Sequence, residues 1–261
     1  AGNPYAHITL MTSPGFLSIA KLMPWFDDII VDPRAGLFNL LALLRIRRYL
    51  RQDWSVVVDM QCSNRTRCYF SYCVKPNTCW IGVAPGCSSP LPDLTGVNNR
   101  ERMIKTAEIA GGISQSIDMA WLKTGLIDIK DELLIDPMAA YAVLVPGCSL
   151  AKPQKRWPSE SFAAVGANLL ARGLKVYVVG TKEDRVAVSG VLAHSPGIVD
   201  LSEKTSLPVL AKLFQGASYV IGNDTGPVFL AAKAGAKTLM IIGPDTDPEM
   251  SAPSGRACTW L

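Results

Sequence analysis

The segment that constrains the fold most is residues 220–232, which read V-I-G-N-D-T-G-P-V-F-L-A-A. Its β-forming start, the turn formers Asn223, Asp224 and Gly226, and Pro227 at a first helical position predict a buried strand that runs through a tight turn into a helix. Gly235 stands where such a helix ends. The N–H groups of the helix start would face outward at the carboxyl end of the strand, which is a favourable place for a phosphate. Taken alone, the segment favours an ordinary strand–turn–helix joint.

Strands and helices alternate through the second half of the chain. Strands are predicted at 141–145, 174–179, 197–201, 219–221 and 238–242. Helices are predicted between them at 159–171, 185–193, 206–215 and 227–234. This rhythm indicates a parallel sheet with helices on both faces and right-handed crossovers.

The first half repeats this rhythm more loosely. Strands are predicted at 6–11, 29–31, 54–60 and 80–83, and helices at 16–23, 37–51 and 99–110. Residues 85–96 read as a loop, and residues 114–137 as the crossing between domains. We therefore predict a two-domain α/β protein, with residues 1–137 and 138–261 on either side of a cleft.

Composition bounds the class of protein. With 261 residues, 49% apolar and 18% charged residues, the chain can fill a core and is not disordered. Its net charge of +4 suits an anionic small ligand or surface and is no nucleic-acid signature. No apolar run is long enough to span a bilayer, and the first residues do not resemble a signal peptide. The chain has no initiator Met, and we expect that both of its ends are cut.

The seven cysteines form no Cys-x-x-Cys pair, and five of them lie irregularly between Cys62 and Cys87. Small buried or surface thiols in a reducing cytoplasm explain this pattern better than a zinc site does, because no His lies nearby. We expect no metal and no cofactor.

Polar residues follow several of the predicted strands of the second half, and in a parallel sheet all of these loops open on one edge. They are Lys155 and Arg156, then Glu183, then Asp224, Thr225 and Gly226, then Asp245, Thr246 and Asp247. Cations neutralise a diphosphate, helix amides donate to its oxygens, and a carboxylate accepts from sugar hydroxyls. The pattern therefore predicts a site for a nucleotide diphosphate that carries a sugar.

Two common phosphate motifs are missing. No Gly-x-Gly-x-x-Gly follows a strand, which gives little support to a nicotinamide or flavin site, and no P-loop is present.

In the first half, four polar residues follow the strand predicted at 54–60: Gln61, Asn64, Arg65 and Arg67. A ligand cleft and a loop with solvated charges explain those residues about equally well.

The chain resembles glycosyltransferase family 9, the ADP-heptose:lipopolysaccharide heptosyltransferases and their relatives. The resemblance is specific over residues 141–250 and weak in the first half, where V-V-D-M-Q at 57–61 is its main support. The motifs that it rests on are V-L-V-P-G at 143–147, K-R-W-P at 155–158, V-G-T-K-E at 179–183, D-L at 200–201, K-T-S-L at 204–207, G-N-D-T-G-P at 222–227 and G-P-D-T-D-P at 243–248.

The resemblance implies an α/β fold of the GT-B type, with two Rossmann-like domains whose parallel sheets face a central cleft. It implies inverting, metal-independent transfer of a heptose from an ADP-sugar donor to a lipopolysaccharide core acceptor. The residues 1–137 would take the acceptor side, and the residues 138–261 would bind the nucleotide sugar.

The family's donor residues carry over to this chain as follows. Lys155, with Arg156, would contact the diphosphate, and Glu183 would hold ribose or sugar hydroxyls. The turn of Asp224, Thr225 and Gly226, followed by Pro227, would bind phosphate. Thr205 would line the adenine pocket, and Gln61 and Arg65 would face the acceptor.

Two departures from the family bear on activity. Phe229 stands where the family usually has His, and the family's opening strand, with the Gly-Asp loop that supplies the catalytic base, has no counterpart here. We therefore leave the catalytic residue unassigned and expect this chain to bind a donor without efficient catalysis. A non-catalytic nucleotide-sugar-binding protein of envelope polysaccharide assembly is the alternative, and a sugar epimerase has less support.

The predicted helix at 37–51 holds Arg45, Arg47, Arg48 and Arg51 in its last half. Cations there are favourable with the helix dipole, and that account is adequate. The sharper hypothesis is a basic surface helix that touches anionic lipid head groups. It would place the protein in the cytoplasm, at the cytoplasmic face of the inner membrane.

Overall fold

The structure is a computed structural model that describes residues 5–34, 39–94, 96–113, 120–123, 127–149, 152–244, 246–251 and 257–261. The chain separates into two compact units. The first unit comprises Ala1–Ala20 and Trp25–Ile117, and the second comprises Lys21–Pro24 and Asp118–Leu261. The assignment of separate roles to residues 1–137 and 138–261 stays a prediction.

The second unit contains a parallel sheet of six strands. They are β6 (Tyr141–Val145), β7 (Lys175–Val178), β8 (Val199–Asp200), β9 (Tyr219–Asn223), β10 (Thr238–Ile241) and β11 (Cys258–Trp260). Their order across the sheet is β11-β10-β9-β6-β7-β8, and every pairing is parallel. β6, the first of these six strands along the chain, therefore lies inside the sheet, and the later strands are added outward on both sides of it.

Two short helices of this unit precede β6, and the others lie between its strands. They are α5 (Ala120–Lys123), α6 (Ile129–Leu133), α7 (Ser159–Ala171), α8 (Arg185–His194), α9 (Leu207–Gly216), α10 (Gly226–Ala234) and α11 (Pro248–Ser251). The buried Leu122 and Ile129 bring α5 and α6 onto α9, and the Gln215 side chain donates to the Leu122 carbonyl at 3.1 Å. These contacts place both short helices in the second unit.

All five residues of β6 are buried, which is the pattern of a parallel strand covered on both faces. Leu144 packs with Phe162 of α7, Val178 of β7 and Val191 of α8 in the main core. Each of these side chains is fully buried. Truncation of such a residue to Ala typically costs about 2–5 kcal/mol.

The first unit contains two separate, short parallel sheets. One pairs β1 (Thr9–Thr12) with β2 (Asp28–Val31), and the other orders β3 (Val57–Val58), β4 (Trp80–Gly82) and β5 (Ser89–Pro90) as β3-β4-β5. The helices are α1 (Leu17–Ala20), α2 (Leu40–Leu50), α3 (Asn64–Tyr72) and α4 (Asn99–Ile109). Ile46, Leu50, Tyr69 and Trp80 form the centre of its core.

Sequence patterns located most of the strands and the long helices, but several short elements differ from prediction. The strand predicted at 54–60 is only Val57–Val58, and α5 and α6 lie within residues 114–137, which were predicted as a crossing between domains. Helix α3 occupies residues expected to be a polar loop, because Ser63 and Thr66 form a reciprocal capping box at its start. Strand β5 lies within the predicted loop at 85–96, and β11 lies in a segment for which no element was predicted. Helix α2 begins at Leu40, and the predicted residues 37 and 38 lie outside the described residues.

Candidate functional site

Asn223, the last residue of β9, ties together the loops at the carboxyl edge of the six-stranded sheet. Its side chain is fully buried and makes two hydrogen bonds to the loop that follows β6. The Asn223 Nδ2 donates to the Pro146 carbonyl at 2.8 Å, and its Oδ1 accepts from the Trp157 N–H at 3.0 Å. This amide therefore fixes the loop that presents Lys155 against the end of β9. The prediction that Asn223 belongs to the turn was wrong, because β9 continues through it, and its part in holding the loop was not predicted.

Lys155 and Asp224 form an ion pair at this edge. Their side chains are only 14% and 9% exposed, so the pair is largely shielded from solvent. The Thr246 hydroxyl donates to the same Asp224 oxygen at 3.2 Å. Three loops, after β6, β9 and β10, thus meet at one carboxylate, as the strand order predicts. Asp245, the neighbour of Thr246 in the predicted motif, lies outside the described residues.

Gly243 allows the close approach of the loop after β10 to Lys155. A Cβ added at Gly243 would lie 3.0 Å from the Lys155 Cα. The small residue therefore lets two loops pack backbone to backbone under the ion pair.

Arg156 points into a second network and not toward the Lys155–Asp224 pair. Its Nη2 donates to the Cys148 carbonyl at 3.1 Å and lies 3.7 Å from Asp184 Oδ1. The other Asp184 oxygen accepts from the Thr181 N–H and hydroxyl at 2.9 and 2.8 Å. Through these bonds Arg156 and Asp184 connect the loop after β6 to the loop after β7. The sequence did not predict this role for Asp184.

Helix α10 begins beside the ion pair. Thr225 is the extended residue before the helix and makes no side-chain cap, and Pro227 occupies the first turn. Gly226 is exposed, its φ is not in the left-handed region, and a Cβ added there would meet no atom within 4 Å. Neither backbone conformation nor packing within the described residues therefore requires a glycine at position 226.

Glu183 and Thr205 lie in loops after β7 and β8, at the same edge of the sheet. Glu183 is exposed in a short 3-10 turn, and Thr205 is half-buried just before the Ser206 cap of α9. The Glu203 N–H donates to the Gly180 carbonyl at 2.8 Å and joins the two loops. No hydrogen bond is described from either predicted side chain to the Lys155–Asp224 pair.

In the first unit, Gln61 and Arg65 follow β3 as predicted. Arg65, on α3, donates to the Tyr69 hydroxyl at 3.2 Å, and Tyr69 donates to the buried Asp32 at 2.8 Å. Burial raises the pKa of the Tyr69 phenol, so this hydroxyl keeps its proton and remains a donor to Asp32 at neutral pH. Sequence analysis missed Asp32, although it directly follows the predicted strand at 29–31.

A cavity of about 220 Å³ lies next to these residues. Its polar lining includes Asp32, Asp59 and Gln61. Asp59 is 4% exposed, and its Oδ1 accepts from the Gln61 and Cys62 N–H groups at 3.0 and 2.9 Å. Burial, aided by Asp59, raises the pKa of the Cys62 thiol, which makes it a poor nucleophile at neutral pH.

The family model that matches the chain is glycosyltransferase family 9 (heptosyltransferase), over residues 128–260. The match covers half of the chain and includes every predicted donor-side residue. The chain belongs to glycosyltransferase family 9.

Curated relatives from this family are distant. Lipooligosaccharide heptosyltransferase 2 of Haemophilus influenzae is 27% identical over 114 residues, which cover 42% of this chain and 33% of the relative. Lipopolysaccharide heptosyltransferase 2 of Escherichia coli K12 is 25% identical over 122 residues, which cover 45% of this chain and 34% of the relative. The matched part thus spans about a third of the length of these relatives.

Solved structures of family 9 proteins share the fold over 99% of this chain. The glycosyl transferase family 9 protein from Veillonella parvula has a TM-score of 0.80 at 20% identity, with 77% of that protein covered. The E. coli heptosyltransferase WaaC with ADP has a TM-score of 0.77 at 18% identity, with 84% covered. The predicted fold class, α/β of the GT-B type with parallel sheets, is confirmed.

No group of three or more His, Cys, Asp or Glu side chains in the described ranges is arranged to hold a metal ion. Among the helices that the structure describes, none combines the length and the hydropathy needed to cross a bilayer.

Proposed function

We propose that this family 9 chain binds an ADP-sugar donor at the carboxyl edge of its six-stranded sheet. The full-length protein would transfer a heptose or related sugar from that donor to a lipopolysaccharide core acceptor, with inversion and without a metal. The observation that supports this most is the Lys155–Asp224 pair beside the start of α10. The H. influenzae and E. coli relatives named as heptosyltransferases agree with it.

In this proposal, Lys155 would neutralise the donor's diphosphate. Asp224 and the packed loops hold its ammonium in place, so little side-chain entropy is lost when a phosphate binds. The start of α10 adds a positive helix dipole, and the exposed backbone at Gly226 allows a phosphate oxygen to come close. Charge that develops on the departing diphosphate would be stabilised at the same place.

Glu183 and Thr205 are suited to the rest of the donor. Glu183 is an exposed acceptor for ribose or sugar hydroxyls, and Thr205 would line the adenine pocket. Arg156 would contribute indirectly, because its contacts with Cys148 and Asp184 fix the conformation of the loop that carries Lys155.

The acceptor would bind in the first unit, near Gln61 and Arg65. The hydrogen bonds from Arg65 to Tyr69 and from Tyr69 to Asp32 orient the Arg65 guanidinium near the carboxyl ends of β2 and β3. An anionic core oligosaccharide would bind to this cation. We propose no residue of this chain as the base that deprotonates the acceptor hydroxyl.

Calorimetric titration of the chain with ADP, UDP, GDP and NAD tests the donor site. We expect selective binding of ADP, weakened about 10- to 100-fold by Lys155→Ala, because a charge-assisted hydrogen bond contributes about 1.5–3 kcal/mol. Lys175→Ala is the matched control, since Lys175 is exposed at the opposite, amino end of β7 and should leave affinity unchanged.

Equal ADP affinity of Lys155→Ala and the unsubstituted chain would contradict the donor assignment. Thermal melting of both variants separates lost binding from lost folding. Sugar transfer by the full-length protein then distinguishes an enzyme from the non-catalytic alternative, which predicts donor binding without turnover.

A further inference from the structure

Phe229 is a half-buried aromatic residue in the first turn of α10. The helix packs on β9 and β10, and its buried residues are Val228, Ala231, Ala232 and Ala234. With about 3.6 residues per turn, the opposite face carries Gly226, Phe229, Leu230 and Lys233, which are all exposed or half-buried. The ring of Phe229 therefore belongs to the outward face of the helix.

The Phe229 side chain covers the start of α10. Side chains in a helix lean toward its N-terminus, so that each of them covers the turn before its own position. For Phe229 that turn holds Thr225 and Gly226, and a Cβ added at Gly226 would meet no atom within 4 Å. The ring therefore borders an open space beside the Lys155–Asp224 pair.

The strand order orients the proposed donor along this edge of the sheet. In the order β10-β9-β6-β7-β8, Lys155 and Asp224 follow the neighbouring strands β6 and β9. The nucleoside, which would lie against Glu183 and Thr205, is on the side of β7 and β8. A sugar attached to the far phosphate therefore extends to the other side, over the start of α10, where Phe229 lies.

The chemistry of the Phe229 side chain suits a sugar better than a phosphate. Its ring has no hydrogen-bond donor or acceptor, so it has nothing to offer a phosphate or a single hydroxyl. The ring face carries a partial negative charge, which attracts the C–H groups on one face of a pyranose. A His at this position, as the family usually has, would exchange hydrogen bonds with hydroxyls instead.

We propose that Phe229 is a specificity-determining residue, which stacks on the C–H face of the donor's sugar and selects a nucleotide sugar over the free nucleotide. This role rests on the proposed function, because the sugar reaches Phe229 only if the diphosphate binds at Lys155. After transfer of the sugar, the product ADP no longer makes the contact. The ring thus strengthens the binding of the donor without slowing the release of ADP.

Calorimetric titration of the chain with ADP, ATP, ADP-glucose and ADP-heptose tests this role. Phe229→Ala should weaken the binding of the two ADP-sugars about 10-fold, because truncation of a well-packed aromatic contact typically has an effect of that size. ADP should bind as before, and so should ATP, whose third phosphate replaces the sugar and offers no C–H group. Phe229→Tyr keeps the ring and should bind all four ligands as the unsubstituted chain does.

Two further variants separate the contact from an effect on folding. Phe229→Leu keeps an apolar side chain on α10 and should also lose affinity for the ADP-sugars alone. Leu192→Ala is the matched control, since Leu192 is half-buried against the core in the last turn of α8, at the opposite edge of the sheet. It should lower the melting temperature and leave all four affinities unchanged.

Equal weakening of all four ligands by Phe229→Ala and Phe229→Leu would overturn the role, because the ring would then act on the nucleotide or on the fold. Unchanged affinity of both variants for the ADP-sugars would overturn it as well. Failure of the donor site has a different signature, since Lys155→Ala would then leave the affinities for ADP and for the ADP-sugars unchanged. That result would remove the donor site and the role of Phe229 together.

Discussion

At the scale of single residues, Asn223 links the end of β9 to the loop that carries Lys155. It is fully buried, and its amide satisfies one donor and one acceptor of the same loop. A buried side chain that makes both bonds fixes the loop more narrowly than apolar packing would, because each unmade bond has its own cost. The position of Lys155 therefore depends on a residue that does not need to touch a ligand.

Asn223→Asp should lower the free energy of unfolding by about 3 kcal/mol, because it buries a carboxylate oxygen against the Pro146 carbonyl. Chemical denaturation measures this. Asn168→Asp, on the exposed face of α7, is the control and should change stability by less than about 0.5 kcal/mol. Equal stability of the two variants would show that the Asn223 amide does not hold the loop.

Two glycines at the same edge should respond to Ala in opposite ways. A Cβ at Gly147 would lie 2.3 Å from the Asp184 carboxylate, whereas one at Gly226 would meet open space. Gly147→Ala should therefore destabilise the protein by about 1–3 kcal/mol. Gly226→Ala should leave stability unchanged and weaken ADP binding, which melting and calorimetry measure together. Tight ADP binding by Gly226→Ala would remove the α10 start from the phosphate site.

At the scale of elements, α2 presents two kinds of surface. Ala42, Ile46 and Leu50 are buried, and the outward face begins with leucines and ends with arginines. Leu40, Leu41 and Leu44 are 68%, 76% and 59% exposed, and Arg47, Arg48 and Arg51 are exposed as well. A face with apolar residues next to cations is typical of helices that lie in the head-group region of a bilayer. The exposed face of α2 therefore supports the predicted contact with the inner membrane, which stays a prediction.

Replacing Arg47, Arg48 and Arg51 with Gln should abolish preferential binding to anionic vesicles. Each arginine contributes about 1 kcal/mol near such a surface, so three of them change the partition coefficient about 100-fold. Co-sedimentation with phosphatidylglycerol-containing and pure phosphatidylcholine vesicles measures it. The control replaces the exposed Arg172, Lys175 and Lys182 with Gln. Equal sedimentation of the unsubstituted protein with both vesicle types would refute the membrane contact.

The sequence predicted a helix or strand correctly where its hydrophobic pattern and its length indicated the same element. Prediction failed where a local hydrogen-bond arrangement determined whether an element forms. The run Tyr141–Val145 could only be a strand of a covered parallel sheet, whereas α3 depends on a single capping box at Ser63 and Thr66. The candidate site followed the same rule. Strand order predicted that Lys155 and Asp224 would meet, but the turn of Arg156 toward Asp184 depends on side-chain contacts that no spacing reveals.

At the scale of the whole molecule, the strand order of the six-stranded sheet has a bearing on synthesis. In the second unit, β6 leaves the ribosome first, yet its two neighbours are β7, about 30 residues later, and β9, nearly 80 residues later. One flank of β6 can pair early, while the other stays an open edge until β9 emerges. The nascent chain therefore exposes a fully apolar strand edge for several seconds at ordinary translation rates of roughly 5–20 residues per second, which makes it a natural client for a ribosome-associated chaperone.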